Sequence, residues 1–320
     1  FRGKDMSLAP IVLFTFNRLD HTKKTIDALK ENILAKESEL FIFSDGARNS
    51  EERIKVNLLR EYLKSINGFK AINIIESEKN KGLAKSVISG VTDIINKYGK
   101  VIVLEDDLVT SKYFLTYMNN ALDIFDKRSD IWSISGYGPK IEIANDYKDD
   151  IYITKRGSSW GWATWKNRWK LVDWNVSDYE SFRKNKNLVN EFNLRGKDLA
   201  PMLEDQMNER IDSWAIRWVY SQFRNNMYTV YPVKSLVRNI GNDLSGTHTT
   251  NTTHFDVVLN ENKILITEDI KENIQIINKF KVFYDKNFSG YCALIIKKIG
   301  LYKEIKKIRK YILKIYKFVD

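Results

Sequence analysis

The sequence predicts an α/β protein built on a mostly parallel sheet flanked by helices. Three observations carry that expectation. Short apolar runs alternate with longer amphipathic stretches from the start of the chain, the pattern of repeated strand–helix units. Polar and charged residues collect just past the ends of those runs, where such sheets bind their ligands. One run, Lys100-Val-Ile-Val-Leu, ends in three consecutive carboxylates, Glu105-Asp106-Asp107.

The elements follow in order. Ile11–Phe16 reads as a strand and Thr22–Asn32 as a helix. Leu40–Ser44 is a strand, followed by a charged amphipathic stretch from Glu51 to Ile66. Ala71–Glu76 is a strand and Leu83–Tyr98 a helix. Val101–Leu104 and Tyr113–Phe125 repeat the unit, and Ile131–Ser135 is a fifth strand. From about residue 152 the character changes. Five of the eight tryptophans lie between Trp160 and Trp174, interrupted by Gly157, Ser158, Ser159 and Gly161. A polar stretch covers Asn185–Asn193. A helix is expected through Asp212–Trp218 and a strand at Tyr228–Tyr231. The segment from Arg238 to His248 is a glycine-containing polar loop, and the chain beyond about 255 is expected to be helical and peripheral.

At 320 residues and 43% apolar content, the chain can bury a substantial core in one large domain or two modest ones. The expected division is 8–250 for the main domain and 251–320 for a C-terminal extension. No apolar run approaches a membrane span and no signal peptide is visible. Met6 reads as the native start. The single cysteine, Cys292, has no internal disulfide partner, which fits a reducing compartment. The net charge of +11 is unevenly spread. Residues 297–317 carry nine Lys/Arg against one Glu, leaving +3 for everything else. In that segment Leu301, Ile305, Ile308, Ile312 and Ile315 recur at helical spacing opposite a basic face. Such a helix can dock on its own domain, bind a partner or lie on an anionic membrane, and the charge favours the membrane. The near-neutral body offers no groove for nucleic acid.

Burying an unpaired carboxylate is costly, so three at one strand end need water, a cation or a hydrogen-bonding ligand. A divalent ion carrying a phosphorylated substrate satisfies them, because such ions take one or two protein carboxylates and complete their shell with phosphates and water. A solvated acidic turn satisfies them equally. Around this run stand Thr15, Asn17 and Arg18 after the first strand, Asp45 after the second, and Asn80, Gly82 and Lys85 after the third. Asp45 before Gly46 is either an ordinary turn residue or an acceptor for a nucleotide base. The tryptophans either fill core or line a sugar or nucleotide site, the interrupting glycines favouring the latter, while Trp165 and Trp169 are expected in the core. Asp212 is either a helix N-cap or a carboxylate offered to substrate. Gly136-Tyr-Gly138 lacks the third glycine of a dinucleotide fingerprint, and no phosphate-cradling loop is present. His21, His248 and His254 have no partners at zinc spacing.

With these elements in place, the chain resembles the nucleotide-sugar-dependent glycosyltransferases of the GT-A fold. It is most similar to the branch containing N-acetylglucosaminyltransferase I and to bacterial surface-polysaccharide transferases. The likeness spans roughly residues 8 to 250. It rests on Asn17-Arg18, Ser44-Asp45-Gly46, Asn80-Lys81-Gly82-Leu83-Ala84, Glu105-Asp106-Asp107, Trp160-Gly161-Trp162 and Asp212-Ser-Trp, in that order. The resemblance implies that Asp107 ligates Mn²⁺ or Mg²⁺, and that Glu105 and Asp106 hold the donor sugar and ribose. It implies that Asp45 contacts the uracil, with Thr15, Asn17, Arg18, Asn80, Gly82 and Lys85 near the nucleotide. Trp160, Gly161 and Trp162 would stand beside the donor sugar. Asp212 would be the general base, with Asp205 a weaker candidate. The loop carrying Arg238, Ser245 and His248 would order over the donor. Ser89 and Ile211 depart from the family pattern, standing where the eukaryotic enzyme has a histidine and a tryptophan.

The implied activity is inverting transfer from a UDP-sugar to a hydroxyl of a glycan or lipid-linked glycan, as in bacterial lipopolysaccharide synthesis. The implied location is the cytoplasmic face of the inner membrane. Two rivals stay open: a nucleotidyltransferase acting on sugar phosphates, and a non-catalytic carbohydrate- or lipid-binding protein with the tryptophans as platform.

Overall fold

The computed structural model describes residues 7–241 and 253–285. Strands β1 (Ile11–Thr15), β2 (Glu39–Ser44), β3 (Ala71–Glu76) and β4 (Lys100–Glu105) alternate with helices α1 (Leu19–Lys30), α2 (Ser50–Lys64) and α3 (Leu83–Tyr98). Then come β5 (Leu108–Thr110), α4 (Phe114–Ile124), β6 (Ile131–Ser135), β7 (Ile151–Thr154) and β8 (Trp162–Trp165). Short helices α5 (Lys166–Trp169), α6 (Tyr179–Lys184), α7 (Lys186–Asn193) and α8 (Leu199–Met207) lead to α9 (Trp214–Arg224). Strands β9 (Tyr228–Pro232) and β10 (Val237–Asn239) and helix α10 (Ile274–Tyr284) complete the described chain.

Eight strands form one sheet in the order β3-β2-β1-β4-β8-β6-β9-β7. Six run in one direction, and only β8 and β7 are reversed. The expected mostly parallel, helix-flanked architecture is the one observed. Burial on both faces explains why the strands read as continuous apolar runs. Along β1, Ile11 and Leu13 enter one core layer and Val12 and Phe14 the other. Helices α1, α2 and α4 cover the first face. Helices α3 and α5 to α9 cover the second.

The structure departs from expectation in three places. Strands β5, β7, β8 and β10 were not foreseen. Each is three or four residues long, too short to show a period. The Asn185–Asn193 stretch is the helix α7, its N-cap Asn185 accepting from the N–H groups of Asn187 and Leu188. Beyond 255 the described chain is mostly irregular, with α10 as its one helix. This segment packs against the body: Ile276 and Phe280 meet Tyr152 and Tyr231, and Ser111 Oγ donates to the carbonyl of Asn260 at 2.6 Å. No helix among the described residues is long and apolar enough to cross a membrane. Cys292 and the basic stretch 297–317 lie outside the described residues.

Candidate functional site

In-register pairing aligns Thr15, Ser44 and Glu76 at the carboxyl edge of the sheet, with Glu105 beside Phe14. The segments that follow these residues therefore converge. After β4 the chain turns at once into β5, so Asp106 and Asp107 occupy a tight turn on that edge. Both are nearly buried. Arg18, reached three residues after β1, supplies their counter-charge: its Nη2 donates to Asp106 Oδ1 and, at 2.9 Å, to Asp107 Oδ2. Burial works against the charge on Arg18, but Asp106 and Asp107 outweigh it and hold the guanidinium firmly protonated. Thr25 Oγ1, on α1, donates to the Asp106 carbonyl at 2.9 Å and fixes the turn from below.

Glu105 faces a different neighbour. Trp214, in the first turn of α9, lies near enough to its carboxyl group to favour the charged form. Burial, then Asp107 and Asp106, push Glu105 up to about 8 against the pull of Arg18 and Trp214. Burial also pushes Asp106 up to about 6 despite Arg18. Three acidic groups share the Arg18 guanidinium, and His21 also favours the charged form of Asp106.

The strand β10, paired antiparallel with β5, brings its trailing residues back over the acidic turn. The Ile240 N–H donates to the Asp107 carbonyl at 2.9 Å. Gly241 lies so close that a Cβ there would sit 2.2 Å from Asp107 Oδ2 and 3.1 Å from Arg18 Nη1. A larger residue there would force the Asp107 carboxylate to shift. Arg238 is exposed on β10, while Ser245 and His248 lie outside the described residues.

On the other side of β1, Asp45 does more than either expected role. Its Oδ1 accepts from the N–H groups of Gly46 and Lys81, both at 2.9 Å. Its Oδ2 accepts from the Gly82 N–H at 3.0 Å and from Asn80 Nδ2 at 3.1 Å. The carboxylate is thus a clamp on the loop that opens α3. Asn80 is turned inward by the same network and also donates to the Gly46 carbonyl at 2.8 Å. Helix α3 begins at Gly82 without a side-chain cap, with Lys85 exposed on its first turn.

Asp212 stands beside this loop, its Oδ2 3.7 Å from where a Cβ on Gly82 would lie. It is not the N-cap of α9. Ser213 takes that place, its Oγ accepting from the Ile216 N–H at 3.3 Å. Asp212 keeps a 66% exposed side chain, with Arg217 Nη2 3.4 Å from Oδ1. Asp205, on α8, is instead paired with Arg210 at 3.2 Å.

The tryptophan segment needs correction. Trp162 lies in β8 with 1% exposure, packed against Trp169, Trp214 and Trp218. A ring enclosed in this way has no face left for a donor sugar. Trp165 and Trp169 are core residues as expected, but they sit on opposite faces of the sheet. Gly161 is needed for internal reasons: its φ is +61°, and a Cβ would meet Val237 Cγ2 at 2.7 Å. Trp160 remains partly exposed, edge-on to Tyr137 and Phe255. Thr15 is also turned inward, buried, its hydroxyl directed at the Phe43 carbonyl 3.5 Å away. Asn17 is partly exposed at the edge. The sequence reading missed Thr25, which carries no local signal for contact with the acidic turn, and named Trp214 only within Asp212-Ser-Trp.

The donor set fits one kind of cation. Among the described residues no cluster of three or more His, Cys, Asp or Glu could hold a metal ion. Hard carboxylate oxygens at Asp106 and Asp107 suit an ion that brings most of its ligands with it, such as Mn²⁺ or Mg²⁺ on a diphosphate. They do not suit an all-protein cage.

No family model matches the sequence, and no curated protein does. Among the solved structures similar to it are three. Residues 1–349 of S. aureus TarS align with a TM-score of 0.41 and 11% identity, over 72% of this chain and 59% of that one. S. aureus TarS gives 0.39 and 12%, over 72% and 36%. The mannosyltransferase PcManGT from Pyrobaculum calidifontis, in complex with GDP-Man and Mn²⁺, gives 0.27 and 15%, over 41% and 38%. The chain thus spans under two thirds of each.

Proposed function

We propose that this chain transfers a sugar from a nucleotide sugar to a hydroxyl group, with a UDP-sugar as donor and Mn²⁺ or Mg²⁺ as cofactor. The observation that carries the reading is the convergence of these groups along the carboxyl edge. Asp45 clamps the Asn80–Gly82 loop, Asp212 stands beside Gly82, Trp214 lies near Glu105, and Arg18 bridges Asp106 and Asp107 next to Gly241.

In this reading the N-terminus of α3 and Lys85 face the nucleotide, where backbone N–H groups favour phosphate. Asp107 holds the cation, and Glu105 and Asp106 meet the sugar and ribose. The cation supplies charge neutralisation on the departing diphosphate. Asp212 accepts the proton of the acceptor hydroxyl as that oxygen attacks the anomeric carbon, which gives inversion. Its exposure leaves room for an acceptor at that carboxylate. The acceptor class is a glycan or lipid-linked glycan, with residues 297–317 on an anionic membrane.

Both rivals lose ground on specific observations. A nucleotidyltransferase would need a glycine-rich basic loop after the first strand, but β1 passes into α1 across only Phe16, Asn17 and Arg18. A tryptophan platform would need outward faces, but Trp162, Trp169, Trp214 and Trp218 are packed on one another. Thermal unfolding with UDP, GDP, CMP and dTDP, each with and without Mn²⁺, tests the reading. A ligand that binds only the folded state raises Tm by mass action. A rise with UDP that requires Mn²⁺ and vanishes in Asp107→Ala is expected. No rise with any nucleotide would sink the proposal.

A further inference from the structure

We infer that Arg18 is a resident counter-cation that excludes a free divalent ion from Asp107, so that metal and nucleotide enter the site together. The nucleotide half of this statement rests on the proposed function. The counter-cation half rests on geometry alone.

Arg18 bridges Asp106 and Asp107 through one nitrogen, and its side chain is only 19% exposed. The Asp107 carboxylate is 11% exposed and is covered from two directions. The guanidinium lies on one side. On the other the backbone at Gly241 leaves no space for even a methyl group against Oδ2. An ion at Oδ2 must therefore displace Arg18, and one at Oδ1 would share a carboxylate that Arg18 already holds. Removing a buried charge from its partner without a replacement is strongly unfavourable. An isolated hydrated ion brings no such replacement.

A diphosphate does. Guanidinium groups pair with phosphate oxygens as readily as with carboxylates, and often in bidentate fashion. Arg18 also has a spare donor, since its Nη1 is buried and makes no hydrogen bond among the described residues. Arg18 can thus exchange carboxylate for phosphate while the ion carried by that phosphate takes Asp107. Each ligand then removes the obstacle to the other. By linkage, whatever factor UDP adds to Mn²⁺ affinity, Mn²⁺ adds to UDP affinity.

The test is titration of the full chain with Mn²⁺, reading free ion from its electron paramagnetic resonance signal, with and without UDP, each corrected by a protein-free titration for the Mn²⁺–UDP complex. Wild type should bind Mn²⁺ weakly alone and at least about fivefold more tightly with UDP, where fivefold is the low end of ordinary coupling. Arg18→Gln should bind Mn²⁺ alone at least tenfold more tightly than wild type. The double variant Arg18→Gln/Asp107→Asn should lose that gain, which places the ion at Asp107. Arg18→Lys keeps a cation beside the pair and should stay weak. Should Arg18→Gln fail to fold, Arg18→Met, which keeps a long packed stem without the charge, takes its place. Mn²⁺ binding to wild type as tight alone as with UDP, or as tight as to Arg18→Gln, overturns the inference. A gain in Arg18→Gln with no effect of any nucleoside diphosphate on wild type would uphold the counter-cation and overturn the nucleotide reading instead.

Discussion

Asp212 is the residue on which the proposed chemistry turns, and its surroundings separate catalysis from stability. The side chain is two-thirds exposed, and its ion pair with Arg217 is 3.4 Å long. Pairs of that kind contribute roughly 0–1 kcal/mol. The helix behind it is capped by Ser213, so α9 does not depend on Asp212. Replacing the carboxylate with an amide therefore removes a proton acceptor and little else. Asp212→Asn should keep a Tm within about 2 °C of wild type, given the slope for a chain of this size. Its turnover should fall by about 10²–10⁴-fold, the usual contribution of a positioned base. Steady-state rates with a UDP-sugar and a soluble acceptor check this, and near-normal turnover would move the base elsewhere. Arg18 differs in kind, because its partners are acidic side chains 88 and 89 residues away.

At the scale of elements, the loop between β3 and α3 is held by Asp45 rather than by its own turn chemistry. Three backbone N–H groups and one side-chain amide converge on that carboxylate. Asp45→Ala should cost about 2 kcal/mol, since unpaired buried donors cost about 1–3 kcal/mol. Asp45→Asn, which keeps one acceptor oxygen, should cost less. Were Asp45 instead a reader of the nucleotide base, Asp45→Ala would abolish UDP binding at unchanged stability. Thermal unfolding beside UDP titration separates the two. The same loop shows what local sequence reveals. Strands β1 to β4 and their helices were legible because apolar runs end sharply in polar residues, and so was the acidic turn. The clamp was not legible, because Asp45 and Gly82 are joined by folding and not by spacing. Trp162 was misread for a related reason. A tryptophan in a strand covered on both faces has the same local sequence as one that lines a sugar site.

The whole molecule divides by charge. Residues 297–317 contribute +8 of the net +11, and the rest of the chain is close to balance. A surplus so localised does not serve general solubility, which an even distribution would serve as well. It pairs with an apolar spacing, Leu301 through Ile315, that would give a helix one oily and one basic face. Each Lys or Arg near an anionic surface gains about 1 kcal/mol, so nine of them supply attraction that a neutral surface lacks. The attraction is screened by salt, because exposed charges interact over a Debye length of about 8 Å at physiological ionic strength. Membrane binding through this segment thus has three signatures that a docked structural helix would not share. The full chain should sediment with vesicles containing phosphatidylglycerol and not with pure phosphatidylcholine. Binding should weaken steeply between about 0.05 and 0.5 M salt, as the screening length shortens. A chain ending before residue 297 should lose the binding yet keep its activity on a soluble acceptor, because the described contacts along the carboxyl edge all lie within residues 15–241. Vesicle binding that survives the deletion would remove the membrane from the proposal and leave the sugar-transfer reading as it stands.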